Sequence, residues 1–103
     1  MRPRYFVLAA DGHTPRALPD VVEWARWFET ANRIVAQTEV TPDVKVSTVF
    51  LGINHNFGSG SPILFETMIF GGPHDSFTER YHTWDEAEAG HARAVARARK
   101  GKN

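Results

Sequence analysis

Apolar and polar positions along the chain follow two periods, and each change of period marks an element. Tyr5 to Ala10 is a short apolar run with aromatic and branched members, a strand pattern. Asp11 to Pro19 holds Asp-Gly and two prolines and reads as a loop. From Asp20 the period becomes helical. Val21, Trp24, Ala25, Phe28 and Ala31 share one face, Glu23, Arg26 and Thr30 lie opposite, and Trp27 sits at the margin. Asp20 with Glu23 three residues on has the capping-box arrangement, and Asn32 supplies a stop. Arg33 to Val40 alternates Ile34, Ala36, Thr38 and Val40 against Arg33, Val35, Gln37 and Glu39, the mark of a half-buried strand. Thr41-Pro42-Asp43 is a turn, Val44 to Ile53 a second strand, and Asn54 to Ser61 a polar, Gly-rich loop. Ile63 to Phe70 is a strongly apolar third strand ended by Gly71-Gly72-Pro73, and Arg80 to His82 a short fourth. Thr83 and Glu86 form a second capping box, opening a helix whose stripe is Trp84, Ala87, His91, Ala94, Val95 and Ala98. Asp85 and Glu86 at its start, and Arg97, Arg99 and Lys100 at its end, complement the macrodipole.

Consecutive strands joined by short turns favour antiparallel pairing. The order β-α-β-β-β-(β)-α therefore predicts an α+β fold: an antiparallel sheet of about four strands with two helices packed on one face, a two-layer sandwich. A length of 103 residues allows one domain, here taken as 1–103 with a short basic C-terminal tail at about 97–103. The apolar fraction of 42% suffices for a core and argues against disorder. No apolar run reaches signal-peptide or membrane-span length, which points to a cytoplasmic protein with no membrane partner.

Charge changes the picture once it is read along the chain. Twelve basic and twelve acidic residues cancel. Residues 1 to 92 nevertheless carry seven basic and twelve acidic side chains, net −5, and residues 93 to 103 carry five basic and none acidic, net +5. The basic end, with Arg93, Arg97, Arg99, Lys100 and Lys102, reads first as a frayed, solubilising helix end that complements the dipole; the alternative is a contact for nucleic acid or an acidic partner.

The absence of cysteine excludes disulfides, Cys-based zinc sites and a Cys nucleophile. No Gly-x-Ser-x-Gly elbow occurs. The five histidines, His13, His55, His74, His82 and His91, show no metal-ligand spacing, so neither metal nor cofactor is expected. His91 falls on the apolar stripe of the second helix and reads as a structural histidine anchoring helix to sheet, its nitrogens on a carbonyl or carboxylate. The loop after the second strand offers a ligand site of His55, Asn56 and Phe57, with Glu66 nearby, or else an ordinary long hairpin connection. Glu66 shares a strand face with Leu64, Met68 and Phe70. If that face is uncovered, Glu66 pairs across the sheet with a residue such as Lys45, and the three apolar side chains form an exposed patch for a protein partner or self-association. Trp27, at the edge of its stripe, is a candidate hot spot for the same purpose.

The segments FLGINHNF (Phe50 to Phe57), LFETMIFGG (Leu64 to Gly72), YHTWDEAEAGH (Tyr81 to His91) and EWARWFE (Glu23 to Glu29) resemble a group of small uncharacterised proteins of tailed bacteriophages and prophages. The likeness spans about Tyr5 to Val95. It implies a phage accessory protein made in the host cytoplasm, and it transfers no activity, cofactor or catalytic residue. Minor virion components and small inhibitors of host or defence machinery both fit. The leading expectation is a non-enzymatic protein that binds a host or phage protein. A small nucleic-acid-associated protein using the basic end, and a ligand binder or enzyme using the Asn54–Ser61 loop, are the alternatives.

Overall fold

The computed structural model describes residues 2–100. Strand β1 (Phe6–Leu8) turns back into β2 (Pro15–Ala17), then come helix α1 (Val21–Thr30), strands β3 (Ile34–Thr41), β4 (Val44–Phe50), β5 (Phe65–Phe70) and β6 (Thr78–Tyr81), and helix α2 (Trp84–Lys100). The last four strands form an antiparallel meander in the order β3-β4-β5-β6, and β1 and β2 form a separate two-stranded sheet. The architecture is the expected α+β class with a four-stranded antiparallel sheet and two helices. No helix among the described residues is long and apolar enough to cross a membrane.

Strand β2 corrects the sequence reading, which left Asp11 to Pro19 as loop. Pro15 and Pro19 argue against a strand, yet Pro15 stands at its first residue, where a missing N–H does least harm. The turn before it is built by Asp11, whose carboxylate accepts from the backbone N–H of His13 and Thr14 and from the Thr14 hydroxyl. Those bonds, the Thr14 hydroxyl first, hold the Asp11 pKa down at about 2.

Period two decides which sheet face is covered. Val44, Val46, Thr48 and Phe50 of β4 and Phe65, Thr67 and Ile69 of β5 point to one side and are buried there under α2. The helix presents the stripe predicted for it, with Ala87, His91, Ala94, Val95 and Ala98 buried. Its start is closed by the capping box: Glu86 N–H donates to Thr83 Oγ1, and Glu86 Oε1 accepts from the backbone of Thr83 and His82.

Helix α1 stands at the periphery against β1 and has no fully buried residue. Val21 and Ala25, expected on its apolar face, are exposed. The working contacts are aromatic instead. Trp24 Nε1–H reaches the carbonyls of Phe6 and Gly52, each at 3.0 Å, and Trp27 meets Phe50 edge-on with centroids 5.9 Å apart. A ten-residue helix beside a hairpin touches the body only through its longest side chains, so Trp27 moves from the margin of the predicted stripe to the contact face.

Gly90 lies inside α2, where glycine costs about 1 kcal/mol relative to alanine. A Cβ there would overlap the ring and hydroxyl of Tyr81, which is itself buried in the core. Gly90→Ala is therefore expected to destabilise, despite the gain in helix propensity, by about 1–3 kcal/mol of overpacking. Urea denaturation reads it, and an unchanged or raised midpoint contradicts the close packing of β6 on α2.

Candidate functional site

Two apolar clusters lie under α2. One gathers Phe6, Leu8, Phe50, Leu64, Phe65, Tyr81 and Ala87; the other gathers Val44, Val46, Ile69, Ala94, Val95 and Ala98. Between them a polar row crosses the sheet. Thr48 pairs in register with Thr67, and Thr67 with Glu79. Both threonines are fully buried. His91 descends from α2 onto this row, with Nδ1 2.8 Å from Thr48 Oγ1 and Nε2 2.8 Å from Thr38 Oγ1. Thr48 Oγ1 bonds Thr67 Oγ1, Thr67 Oγ1 bonds the Tyr81 hydroxyl at 3.0 Å, and Tyr81 bonds Glu79 Oε1 at 2.9 Å. Arg93 closes the line on Glu79 at 3.0 Å.

The direction of every proton in this line follows from its acidic end. Ionised Glu79 only accepts, so the single phenolic proton of Tyr81 goes to it. Thr67 must then donate to Tyr81, Thr48 to Thr67, and His91 Nδ1–H to Thr48, leaving Nε2 to accept from Thr38. His91 is thus the Nδ1–H tautomer, held by two hydroxyls rather than by the carbonyl or carboxylate expected from sequence. Burial keeps its pKa below the ordinary 6.5, in agreement with a neutral ring that accepts at Nε2. Burial, with the Glu79 carboxylate adding to it, pushes the Tyr81 hydroxyl up to about 12. For Glu79 burial acts upward, but the bonds from Tyr81 and Arg93 and the charges of Arg93 and Arg97 outweigh it and hold the carboxyl below its ordinary 4.5.

Among the described residues no helix covers the opposite sheet face. Lys45, Ser47 and Val49 of β4 and Glu66, Met68 and Phe70 of β5 point there. Glu66 sits on this open face, as the solvent-facing alternative required, but its partner is Arg80 of β6, with Arg80 Nε donating to Oε2 at 2.8 Å. Lys45 is in register with Phe70 instead. Met68 is half-buried and Phe70 is 45% exposed. Leu64 departs from the expected patch. It precedes β5 and is buried in the first cluster at 3% exposure; its carbonyl still accepts from Leu51 in the β4–β5 register, but its N–H donates to the Tyr81 carbonyl, one residue out of the β5–β6 register. Two residues absent from the predicted patch join it: Ile34, 46% exposed, and its register partner Val49. The signal for Ile34 was its place in the alternation of β3, but a register shift between Ile34 and Ala36 changes its face.

The proposed loop ligand site does not assemble. His55 Nδ1–H donates to the Ile53 carbonyl, and Asn56 is occupied by Ser59, Ser61 and Gly58 of its own loop. Phe57 stands 77% exposed with Arg4 over its ring, and Glu66 belongs to the open face. The histidines separate as well. His13 stacks on Trp84 at 3.9 Å, His82 Nδ1–H donates to the Pro62 carbonyl, and His74 lines a cleft beside α2. Among the described residues no three His, Asp or Glu side chains form a metal-ligating group.

The basic end divides. Residues 97 to 100 are the last turn of α2 rather than a separate tail, and Lys102 lies outside the described residues. Arg93, Arg97 and Lys100 line one cleft, in which Arg97 lies 4.3 Å over the Phe77 ring; Arg99 points elsewhere.

Thr48→Val keeps the shape of the buried row and removes its central hydroxyl. His91 Nδ1–H then has no acceptor, and the expected loss of about 1–3 kcal/mol is measurable by urea titration. The pH dependence follows from the depressed His91 pKa. Well above the ordinary 6.5 the ring is neutral both folded and unfolded. As pH falls below that, the unfolded chain takes up the proton first, so stability declines toward the folded pKa. The urea midpoint is expected to fall between about pH 7 and pH 5, and His91→Gln to flatten that slope. A wild-type slope identical to the variant's contradicts the assignment.

Compared with known proteins, no family model, curated protein or solved structure matches this chain.

Proposed function

We propose that this chain is a non-catalytic binding protein that docks a protein partner on the open face of its β3-β4-β5-β6 sheet. The observation that carries the reading is the apolar band on that face. Across the four strands its rows run Ile34, Val49, Glu66, Arg80, then Gln37, Ser47, Met68, Thr78, then Glu39, Lys45, Phe70. Ile34, Val49, Met68 and Phe70 form a diagonal through these rows. Charged pairs occupy the remaining corners, the Glu66–Arg80 bridge at one and Glu39 beside Lys45 at the other. A solvent-facing antiparallel strand ordinarily carries polar residues at such positions. Large side chains surrounded by charged ones have the composition of a contact site with a dry centre and a polar rim.

The resemblance of four segments to phage and prophage proteins supplies the setting: an accessory protein in the host cytoplasm, acting on host or defence machinery or as a minor phage component. The basic helix end lies on the other side of the sheet and takes no part in this contact.

Phe70→Lys and Met68→Lys test the reading. Phe70 is exposed, so its variant is expected to stay within about 0.5 kcal/mol of wild type, and thermal melts check that the variant of the half-buried Met68 folds. A protein retained from host lysate by the wild type is expected to be lost on both variants and kept on Arg99→Gln. Analytical ultracentrifugation of the same proteins distinguishes a second copy of the chain as the occupant. A wild type that sediments as a strict monomer and retains nothing that the two variants fail to retain overturns the proposal.

A further inference from the structure

The cleft between β6 and the last two turns of α2 lies on the helix side of the sheet and does not depend on the partner reading above. It encloses about 460 Å³, within the range of small-molecule sites. Its cations come from one helix face at spacings of four and three: Arg93, Arg97 and Lys100. The facing wall is His74 and Phe77 from the β5–β6 connection, with Glu79 from β6.

Two of these cations are fixed in place. Arg97 lies over the Phe77 ring, and Phe77 in turn packs against the second apolar cluster. Arg93 Nη2 is bonded to Glu79, which Tyr81 anchors to the buried row. The connection that carries Phe77 is closed by Asp75 Oδ1 accepting from Gly71 N–H and by Ser76 N–H on the Ile69 carbonyl. A planar guanidinium held on an aromatic ring loses little freedom when its N–H groups take up an oxyanion. Among the described residues Glu79 is the single carboxylate lining the cleft; Tyr81 and Arg93 are bonded to it and Arg97 acts on it through charge alone, so Arg97 and Lys100 spend no hydrogen bond on it and can offer theirs to a ligand.

We propose that this cleft binds the phosphate group of a small phosphorylated compound, with Arg97 as the bidentate donor, Lys100 as the mobile counter-charge and Arg93 as the fixed wall. The extent of the positive charge favours a small ligand over a nucleic acid strand. Beyond Arg93 the surface continues into a second cleft lined by Glu79 and Glu86 as well as Arg80, and the exposed charged positions toward the start of α2, past the exposed Ala92 and Ala89, are Glu88, Glu86 and Asp85. A polyphosphate backbone leaving the basic cleft toward the start of α2 would meet these carboxylates. A single phosphate would not.

The test uses ¹⁵N-labelled full-length protein titrated with inorganic phosphate, adenosine monophosphate and a single-stranded oligonucleotide. Saturable shifts confined to His74, Phe77, Arg93, Arg97 and Lys100 are expected with the small phosphates. Tighter binding of the nucleotide identifies an organic ester as the source, and equal binding identifies free phosphate. Arg97→Gln is expected to weaken binding at least about tenfold, the effect of removing one charge-assisted pair. Arg99→Gln, with the same change of charge outside the cleft, is expected to leave binding unchanged. Thermal melts confirm that both variants fold. Absence of saturation at about 1 mM, the weak end of specific binding, overturns the proposal. Equal weakening by both variants, or a response to the oligonucleotide alone, overturns it too.

Discussion

The line of hydrogen bonds from Thr38 through His91, Thr48, Thr67 and Tyr81 to Glu79 is the constraint on which the rest of this structure depends. Apolar contact alone would let α2 slide or rotate over the sheet, because alanine and valine surfaces are smooth and nearly interchangeable. A buried imidazole that must place both nitrogens on hydroxyls allows one setting. His91 ties the helix to β3 and β4 at once, and Tyr81 ties β6 to the same row, its hydroxyl passing over the bare backbone of Gly90. A slip of any of these strands by one residue would turn its hydroxyl to the other face and leave the helix histidine unsatisfied.

The same row sets the chemistry of both sides of the molecule. Because α2 is fixed over one face, the other is left open with Ile34, Val49, Met68 and Phe70. Because Tyr81 fixes Glu79, and Glu79 fixes Arg93, the basic side chains at the end of α2 stand at the rim of a cleft. The two surfaces are back to back and are occupied by different chemistry: an apolar diagonal between ion pairs on one, and cations beside an aromatic ring on the other.

Much of this was legible residue by residue. Strand alternation placed Glu66, Met68 and Phe70 on one face and left open that this face is bare. The helix stripe placed His91 toward the sheet. The capping boxes located the start of each helix. Other features were invisible because they are pairings between distant residues. Thr48 and Thr67 read as ordinary strand formers, and only their register, with His91 above them, makes them a hydrogen-bonded row. Glu66 on Arg80 rather than Lys45 is a matter of register, which sets Val49 of β4 and Arg80 of β6 beside Glu66 and Lys45 beside Phe70. Leu64 entered the core, and Ile34 the open face, through departures from regular pairing that periodicity has no means of registering.

By itself the sequence determined the α+β class, the antiparallel order of the meander, the starts of both helices and the division between an acidic body and a basic end. These follow from local physics: side-chain period, turn residues, caps and the count of charges. The tertiary structure alone decided which strand residues meet, that α1 stands beside the sheet on its aromatic side chains, that β2 exists, that the histidines have separate sites and that three of the basic residues share a cleft. Those outcomes depend on the sum of long-range contacts, in which one register choice moves every side chain of a strand from one face to the other.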